Sequence, residues 1–285
     1  MFQAVSGRPA ANRVDSRANL LIGTESMQTN PIKQTLQAGG TSLGTFVFEF
    51  NSNGIARIAS AAGAAFALYD MEHTGWSVET INRLISTTPR SEIAPIVRVP
   101  ATEYHFVARV LDMGAMGVMV PMCESAEQAE RLVSYAKYPP VGRRGAAFNI
   151  AHDDYQAQDV AGYMQRANQE GLLIAQIETR SGLEEVEQIA AVDGIDVLWI
   201  GQTDLTSSLD IPFQFDHPDY HAAIDKVVAA CNKHGKVAGF MPLAMDEAKS
   251  MMQRGFRMIA YSGDLWIYQQ SLRAALKELK AQESL

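Results

Sequence analysis

Eight short runs of strand-forming residues, separated by helical patterns, constrain the fold of this chain more than any other feature. The runs occupy residues 45–50, 65–72, 94–99, 117–122, 173–178, 197–202, 236–241 and 257–262. Helix signals lie between them, such as Ser125 followed three positions later by Gln128, the spacing of a helix-capping pair. Regular alternation of strand and helix is typical of a parallel sheet with crossover helices. We therefore predict an α/β protein that forms a (β/α)8 TIM barrel.

A doubly wound open sheet is the alternative architecture. No G-x-G-x-x-G pattern follows the first strand-forming run, so the sequence gives no support for a dinucleotide site on such a sheet. The length of 285 residues suits a single barrel, since barrels commonly use roughly 250 residues as one domain. We assign residues 31–285 to this domain. Residues 1–30 scatter arginines among small polar residues, and we predict that they form a poorly ordered extension.

Composition excludes several classes of partner. The net charge of −8 at pH 7 argues against nucleic acid and against anionic membrane surfaces. No uninterrupted apolar run reaches the roughly 18 residues of a spanning helix, so no membrane segment is expected. Only two cysteines occur, Cys123 and Cys231, and neither has metal-ligand spacing around it. We therefore expect a cytoplasmic protein whose partners are small molecules.

Polar side chains gather at the carboxyl ends of the strand-forming runs. They are Asp70, Glu72 and His73 at the close of the second run, Arg98 in the third, Gln176 and Glu178 in the fifth, and Asp204 after the sixth. In a closed barrel these ends share one face, which is where barrel enzymes place their chemistry. The sequence therefore predicts one polar site at the barrel mouth.

Two of these residues suggest a metal site. Glu178 and Asp204 would lie on adjacent strand ends, and oxygen ligands of this kind favour a hard divalent ion such as Mg²⁺ or Mn²⁺. Water and a chelating substrate would complete the coordination. A structural interpretation stays open, in which Glu178 pairs with Arg98 or Arg180 and Asp204 caps the turn that follows.

Six longer stretches of the sequence form a consistent set. They read "DMEHTGWSVETI", "PIVRVP", "LDMGAMGVMVPMCESAEQAERLV", "YPPVGRRG", "LIAQIETRSGLEEVEQIAAVDGIDVLWIGQTDLTSSLD" and "KVAGF". Together, in unbroken order from about residue 31 onward, they closely resemble the HpcH/HpaI family of metal-dependent class II pyruvate aldolases. The resemblance implies a carbon–carbon lyase that reversibly cleaves a 4-hydroxy-2-oxo acid to pyruvate and an aldehyde.

The resemblance also implies how the metal and the 2-oxo acid are bound. A divalent cation, Mg²⁺ or Mn²⁺ with Co²⁺ as a further candidate, would be held by Glu178 and Asp204. The 2-oxo acid would chelate this cation through its carboxylate and keto oxygens. The implied substrate-binding positions are Arg98, Gln176, Gly201, Gln202 and Thr203.

Four positions take implied catalytic roles. Arg98 would stabilise the enolate, and His73, oriented by Asp70, would act as general base; a packed histidine held by Asp70 is the open alternative. Asp112 matches a position that in the family reaches the histidine of a neighbouring subunit. Relatives are typically hexamers, so we expect a homo-oligomer in which the C-terminal helix, from Asp264 onward, is exchanged between subunits.

Elementary chemistry agrees with these roles. A divalent ion beside a guanidinium can stabilise an enolate, and histidine has a suitable pKa for the proton of a hydroxyl. No strand end presents a lysine for a Schiff base, since Lys236 opens its run at the opposite face.

Two positions depart from the family's usual motifs. Thr74 in "EHTG" and Gln202 in "IGQTDL" alter loops beside the site, and such loops select the aldehyde. Two other functions remain open. One is a related barrel lyase that acts on an acyl-CoA thioester or another 2-oxo acid, and the other is a non-catalytic barrel that binds a 2-oxo acid.

Overall fold

The computed structural model describes residues 29–156 and 159–282, and it confirms the predicted (β/α)8 barrel. Eight parallel strands follow one another around the barrel, and the last pairs with the first. The strands are β1 Ser42–Val47, β2 Phe66–Asp70, β3 Ala94–Arg98, β4 Gly117–Val120, β5 Leu172–Ile177, β6 Val197–Ile200, β7 Val237–Phe240 and β8 Phe256–Gly263. Most of the extension predicted at the N-terminus lies outside the described residues.

Helices surround the sheet, with one or two after each strand. They are α1 Pro31–Gln37, α2 Ile55–Ala61, α3 Val78–Thr87, α4 Tyr104–Asp112, α5 Ala126–Ala136, α6 Val160–Glu170, α7 Arg180–Glu184, α8 Val186–Ala191, α9 Gln202–Ser208, α10 Pro218–His234, α11 Met245–Gln253 and α12 Asp264–Gln282. The capping pair read from the sequence is present, since the Ser125 side chain accepts a hydrogen bond from the Gln128 N–H. None of the described helices is both long and apolar enough to cross a membrane.

The two faces of each strand pack into two separate layers. In β5, Leu172 and Ile174 belong to the apolar cluster that fills the barrel interior, together with Trp199. Leu173 and Ala175 lie in the larger cluster between barrel and helices. Side chains along a strand alternate between faces. The same alternation therefore directs the side chain of Gln176, near the carboxyl end of β5, toward the barrel mouth.

Helix α1 closes the amino-terminal end of the barrel. Asn30 is fully buried although it falls within the predicted extension; its side chain accepts the Ile32 N–H and donates to the Met116 carbonyl at 2.8 Å. Ile32 and Leu36 of this helix join the interior cluster. The packed interior therefore separates the carboxyl-terminal end of the barrel from solvent at its amino-terminal end.

Helix α12 leaves the surface of its own barrel. Asp264 is its only buried residue within the described range, and the outer part of the helix exposes Leu272, Leu276 and Leu279. Exposed leucines at helical spacing form an apolar stripe that favours contact with another surface. This course agrees with the expectation that the C-terminal segment leaves its barrel, while its exchange between subunits stays a prediction.

Candidate active site

Asp70 and Arg98 end neighbouring strands and are register partners. Both side chains are buried, and Arg98 Nε donates to Asp70 Oδ1 across 2.6 Å. The other oxygen of Asp70 accepts the main-chain N–H of His73 at 2.9 Å. One carboxylate thus fixes both the direction of the guanidinium and the start of the loop after β2.

The rest of the Arg98 guanidinium faces aromatic rings and a second carboxylate. Its central carbon lies 5.2 Å from the ring centroid of Phe46 and 5.9 Å from that of Phe48. Nη1 lies 3.0 Å from Glu72 Oε2 and donates weakly to Gln176 Oε1 at 3.5 Å. In the described part of the chain no hydrogen bond uses Nη2. Arg98 therefore keeps one donor group available to a ligand in the pocket.

Gln176 and Glu178, at the carboxyl end of β5, are buried and bonded to each other. Gln176 Nε2 donates to Glu178 Oε2 at 2.5 Å, and the Met122 N–H donates to Glu178 Oε1 at 2.6 Å. Met122 adopts a left-handed backbone conformation with φ of 50°, which directs this N–H toward the site. Each carboxylate oxygen of Glu178 thus has one donor and a lone pair still available.

Gly201 lies against this pair. A Cβ at position 201 would lie 2.2 Å from Glu178 Oε2 and 2.7 Å from Gln176 Nε2, far inside van der Waals contact. Any larger residue would displace the carboxylate. Glycine is therefore required here by close approach, and Gln202 and Thr203, which follow it, begin α9.

Negative charge exceeds positive charge around the site. Burial, together with the neighbouring carboxylates of Glu72 and Asp204, raises the pKa of Glu178 to about 7, although the Met122 N–H and Arg98 oppose the shift. Burial also raises the pKa of Glu72, although Arg98 opposes that shift. Glu72 Oε2 is buried, and its 3.0 Å contact with Arg98 Nη1 is an ion pair without hydrogen-bond geometry, so the atom accepts no hydrogen bond from the described residues. Asp70 and Glu72 pair with the single guanidinium of Arg98, and the carboxylates of Glu178 and Asp204 lie close enough to interact with Glu72, so a bound cation would relieve the repulsion among them.

Glu178 and Asp204 fit a divalent cation as a two-ligand set. Asp204 is half-buried in the first turn of α9, and its carboxylate accepts no hydrogen bond from the residues that the structure describes. No group of three or more His, Cys, Asp or Glu side chains in that part of the chain has metal-binding geometry. The remaining ligands would be oxygens of water or substrate, as expected for Mg²⁺ or Mn²⁺.

The structural interpretation of these carboxylates is not observed. Within the described residues, Glu178 forms no ion pair with Arg98 or Arg180, and Arg180 instead pairs with Asp210 at 3.1 Å. The position before α9 is taken by Gly201, so Asp204 lies inside the helix and caps nothing.

The imidazole of His73 lies at the edge of the pocket. Its side chain is 56% exposed, which excludes a packed core histidine, and its Nε2 lies 3.7 Å from Glu72 Oε2. Asp70 bonds only the main chain of His73, so the expected side-chain contact between them is not formed. The reason is that Asp70 already bonds Arg98 and two backbone N–H groups. Glu72, not Asp70, is the carboxylate beside the ring.

Asp112 does not belong to the group of residues at the barrel mouth. It ends α4, which runs back from the carboxyl end of β3, so it reaches the amino-terminal side of its own barrel. Its Oδ1 accepts hydrogen bonds from Arg144 Nε at 3.1 Å and Nη2 at 2.6 Å. The expected contact with a neighbouring subunit's histidine stays a prediction.

A pocket of about 730 Å³ opens at the barrel mouth. Its lining contains every predicted substrate-binding residue, together with the predicted base and one predicted metal ligand: His73, Arg98, Gln176, Gly201, Gln202, Thr203 and Asp204. Gln202 is held by a hydrogen bond from Nε2 to the Met241 carbonyl at 2.8 Å. A second cavity of about 50 Å³, beside Lys137 near the amino-terminal end, is too small for such a substrate.

Several pocket residues were not predicted from the sequence. Phe48, Trp76 and Trp266 line the mouth, and Asp264 holds the loop that carries Phe48. Phe48 and Asp264 directly follow strands, whereas Trp266 lies in the first turn of α12 and Trp76 six residues after β2. The signal that located the polar residues, position at a carboxyl strand end, would have found Phe48 as well had aromatic residues been considered.

Comparison with known proteins gives consistent matches along the whole barrel. The sequence model described as HpcH/HpaI aldolase/citrate lyase matches residues 43–269. The 2-keto-3-deoxy-L-rhamnonate aldolase of Klebsiella pneumoniae is 32% identical over 256 residues, which cover 90% of this chain and 95% of that protein.

Two solved structures show the same extent of similarity. An HpcH/HpaI aldolase from Desulfitobacterium hafniense superposes with a TM-score of 0.85 at 32% identity, covering 89% of this chain and 97% of that one. An HpcH/HpaI aldolase/citrate lyase family protein from Burkholderia cenocepacia gives a TM-score of 0.83 at 30% identity, covering 88% and 100%. The segment matched by the family, residues 43–269, contains the loops of the candidate site and all eight strands except Ser42.

Proposed function

The chain belongs to the HpcH/HpaI aldolase/citrate lyase family, and from that premise we propose that it is a class II, divalent-metal-dependent aldolase. It reversibly cleaves a 4-hydroxy-2-oxo acid to pyruvate and an aldehyde. The observation that carries the proposal is the charge arrangement beside an open pocket, in which Arg98 is paired with Asp70 and Glu72. The interacting carboxylates of Glu178 and Asp204 lie nearby without a cationic partner among the described residues. A cation site next to a rigid donor is what enolate formation requires.

Glu178 and Asp204 hold the cation, which is Mg²⁺ or Mn²⁺ with Co²⁺ as a further candidate. When bound, the cation supplies Lewis-acid polarisation of the keto oxygen of the 2-oxo acid. Gln176 and the Met122 N–H keep the Glu178 carboxylate in position. Gly201 leaves the space that this carboxylate occupies.

Arg98 stabilises the enolate oxygen through its uncommitted Nη2 group. The Asp70 hydrogen bond and the Phe46 ring hold the guanidinium in place, so little reorganisation is needed as charge develops. The substrate carboxylate is bound by the N–H groups of Gln202 and Thr203, which lie at the start of α9 and have no partner within the helix.

His73 removes the proton from the C4 hydroxyl. The C3–C4 bond then breaks, its electron pair forms the enolate of pyruvate, and the aldehyde leaves; protonation of C3 gives pyruvate. Glu72, 3.7 Å from Nε2, stabilises the imidazolium that results. Asp112 from a neighbouring copy completes the arrangement around His73.

The proposed assembly is a homo-oligomer, a hexamer in which α12 is exchanged between subunits. The exposed Leu272, Leu276 and Leu279 support this role of α12. Asp112, at the amino-terminal side of its own barrel, is 29% exposed beside its ion-pair partner Arg144 and would face another copy from there. A reducing cytoplasm suits the two free cysteines, Cys123 and Cys231.

The deciding experiment measures pyruvate release from a panel of 4-hydroxy-2-oxo acids by metal-stripped protein, before and after Mg²⁺, Mn²⁺ or Co²⁺ is restored. We expect no release without metal and full release after its addition. Full activity in EDTA contradicts the proposal. Release from an acyl-CoA thioester instead favours the related lyase, and binding of pyruvate without any turnover favours the non-catalytic barrel.

A further inference from the structure

Three consecutive loops form the side of the pocket that lies across the barrel from the proposed metal ligands. β8, β1 and β2 are neighbours in the closed sheet, whereas the ligands follow β5 and β6. The loops contribute Trp266 after β8, Phe48 after β1 and Trp76 after β2, and all three side chains line the pocket. We call these three residues the aromatic wall.

Two rings of the aromatic wall are packed against each other. The ring centroids of Phe48 and Trp266 lie 5.0 Å apart at an interplanar angle of 63°, an edge-to-face contact. Phe48 also stacks on Phe46 at 5.1 Å. Aromatic pairs at these distances are favourable and rigid, so this side of the pocket presents a fixed apolar surface.

The pocket is poor in positive charge. Arg98 is the only lysine or arginine among the described residues that line it, and the central carbon of its guanidinium lies 5.9 Å from the Phe48 ring centroid. The guanidinium is already engaged by Asp70 and Glu72. Glu49, exposed after β1, adds a carboxylate at the mouth. A negatively charged group that reached the aromatic wall would meet carbon surface and a like charge.

One carboxylate holds the aromatic wall together. Asp264, which is 8% exposed, accepts the N–H groups of Phe48 at 2.9 Å, Glu49 at 3.1 Å and Phe50 at 2.6 Å. Asp264 is also the first residue of α12, the helix that carries Trp266. The loop after β1 and the loop after β8 are therefore fixed relative to each other before any substrate binds.

We propose that the aromatic wall is the aldehyde subsite and that it selects uncharged aldehydes with an apolar substituent over aldehydes that carry a carboxylate or phosphate. This inference rests on the proposed function. Pyruvate occupies the Arg98, Gln176 and Gly201 side of the pocket. The chain beyond C4 of the hydroxy-oxo acid therefore extends toward Phe48 and Trp266. Each methylene group that it buries there strengthens binding by about fourfold.

The test compares two four-carbon aldehydes in the condensation with pyruvate, using the metal-loaded enzyme. Butanal ends in a methyl group and succinic semialdehyde ends in a carboxylate, so the pair differs chiefly in terminal charge. We expect kcat/KM to be at least tenfold higher for butanal. Along propanal, butanal and pentanal, kcat/KM is expected to rise by about fourfold per methylene until the wall is covered.

Two substitutions change the ratio of the two kcat/KM values in a defined direction. Trp266→Ala is expected to lower the ratio of butanal to succinic semialdehyde at least fivefold, and Trp266→Phe is expected to restore most of it. Glu49→Lys places a cation beside the wall and is expected to lower the same ratio by raising the value for the semialdehyde. Phe213→Ala, an exposed aromatic residue outside the pocket, is the matched control and keeps the wild-type ratio.

A separate readout distinguishes failure of this inference from failure of the proposed function. Exchange of the pyruvate methyl protons with deuterated water reports enolate formation without an aldehyde. If exchange is normal but succinic semialdehyde reacts as well as butanal, or if Trp266→Ala leaves the ratio unchanged, the inference is wrong and the aldolase assignment stands. If metal-loaded wild-type enzyme neither exchanges these protons nor condenses any aldehyde, the proposed function itself is wrong.

Discussion

Arg98 and Asp70 form a buried ion pair across neighbouring strands, and the pair uses only the Nε edge of the guanidinium. Asp70 cannot turn toward another partner, because its second oxygen accepts the His73 N–H. The guanidinium is therefore presented to the pocket in one orientation. The proposed role of Arg98 therefore depends on the planar shape of its guanidinium as well as on its charge.

Replacing Arg98 by lysine tests that conclusion. Lysine keeps the positive charge but cannot bond Asp70 and the enolate oxygen at once, so kcat is expected to fall by about 10²–10³, the cost of losing one positioned donor. Steady-state kinetics of pyruvate release measure this change. Arg180→Lys, an exposed residue paired with Asp210, serves as control. Unchanged turnover in Arg98→Lys would show that Arg98 is structural.

Removing either proposed metal ligand should abolish metal-dependent turnover. Glu178→Ala and Asp204→Ala each delete one of two protein ligands, and neither residue packs in the apolar core. Metal binding is measured by isothermal titration, and the fold by circular dichroism. Asp210→Ala, an exposed carboxylate nearby in sequence, should titrate like wild type. Normal metal affinity in both ligand variants would contradict the assignment.

Substitution at Gly201 should act through the Glu178 carboxylate. The Cβ of Gly201→Ala would approach Glu178 Oε2 to 2.2 Å, so the carboxylate must move. We expect metal affinity to fall by about 10–100-fold, the usual effect of disturbing the support of a ligand. The matched control is Gly54→Ala, where no atom lies within 4 Å of the new Cβ. Equal metal affinity for the two variants would show that the close approach of Gly201 to Glu178 is not needed for metal binding.

Loss of His73 should separate two reactions that share one enolate. Oxaloacetate decarboxylation passes through the enolate of pyruvate but has no C4 hydroxyl to deprotonate. His73→Ala should therefore lose about 10²–10⁴-fold in retro-aldol activity, the range for a positioned base, while decarboxylation largely persists. His105→Ala, an exposed histidine outside the site, is the control.

Retro-aldol cleavage and oxaloacetate decarboxylation by the His73 variant can be measured on the same protein preparation. If both fall together, His73 organises the site and does not act as the base. If neither falls, the base lies elsewhere, and Glu72, 3.7 Å from the imidazole, is the next residue to replace.

Lys137 should make stability depend on pH above neutrality. Burial, and to a smaller extent the nearby Lys33, lowers the pKa of Lys137 from 10.5 to about 8 in the folded chain. Between these values the unfolded chain binds a proton that the folded chain lacks, so stability rises with pH there; below about 8 both states are protonated.

The variant Lys137→Met removes this dependence. From pH 8 to 10 we expect the thermal midpoint of wild type to rise relative to that of Lys137→Met. The corresponding free energy of unfolding should rise with a limiting slope of about 1.4 kcal/mol per pH unit. Thermal melts at several pH values measure the difference. Lys249→Met, at an exposed position, should parallel wild type. A wild-type midpoint that falls relative to Lys137→Met across this interval would contradict the assignment.

The eight strands were predictable because each is an apolar run between turns, but their limits were not. β1 was predicted at residues 45–50 and lies at Ser42–Val47. Gly44 disfavours a strand by propensity, yet it is needed there, since a Cβ would lie 2.4 Å from the Phe66 carbonyl oxygen. The predicted end of the strand is instead the loop bound by Asp264. Such contacts between distant residues cannot be read from local composition.

The polar site was predictable from position, and its internal contacts were not. Strand ends located Arg98, Gln176 and Glu178, because the carboxyl ends of a barrel share one face. The partner of His73 could not be located in this way. Asp70 and Glu72 are both close in sequence to His73, and only the geometry shows that Arg98 already engages Asp70.

The position of Asp264 links the packing of α12 to the shape of the pocket during evolution. The same carboxylate begins the helix that extends away from the barrel and anchors the loop that forms part of the pocket. A substitution that tilts α12 to suit a new neighbour therefore also shifts Phe48 and Trp266. Quaternary structure and aldehyde preference are thus expected to diverge together among relatives, so that lineages with altered subunit packing should also differ in the aldehydes they accept.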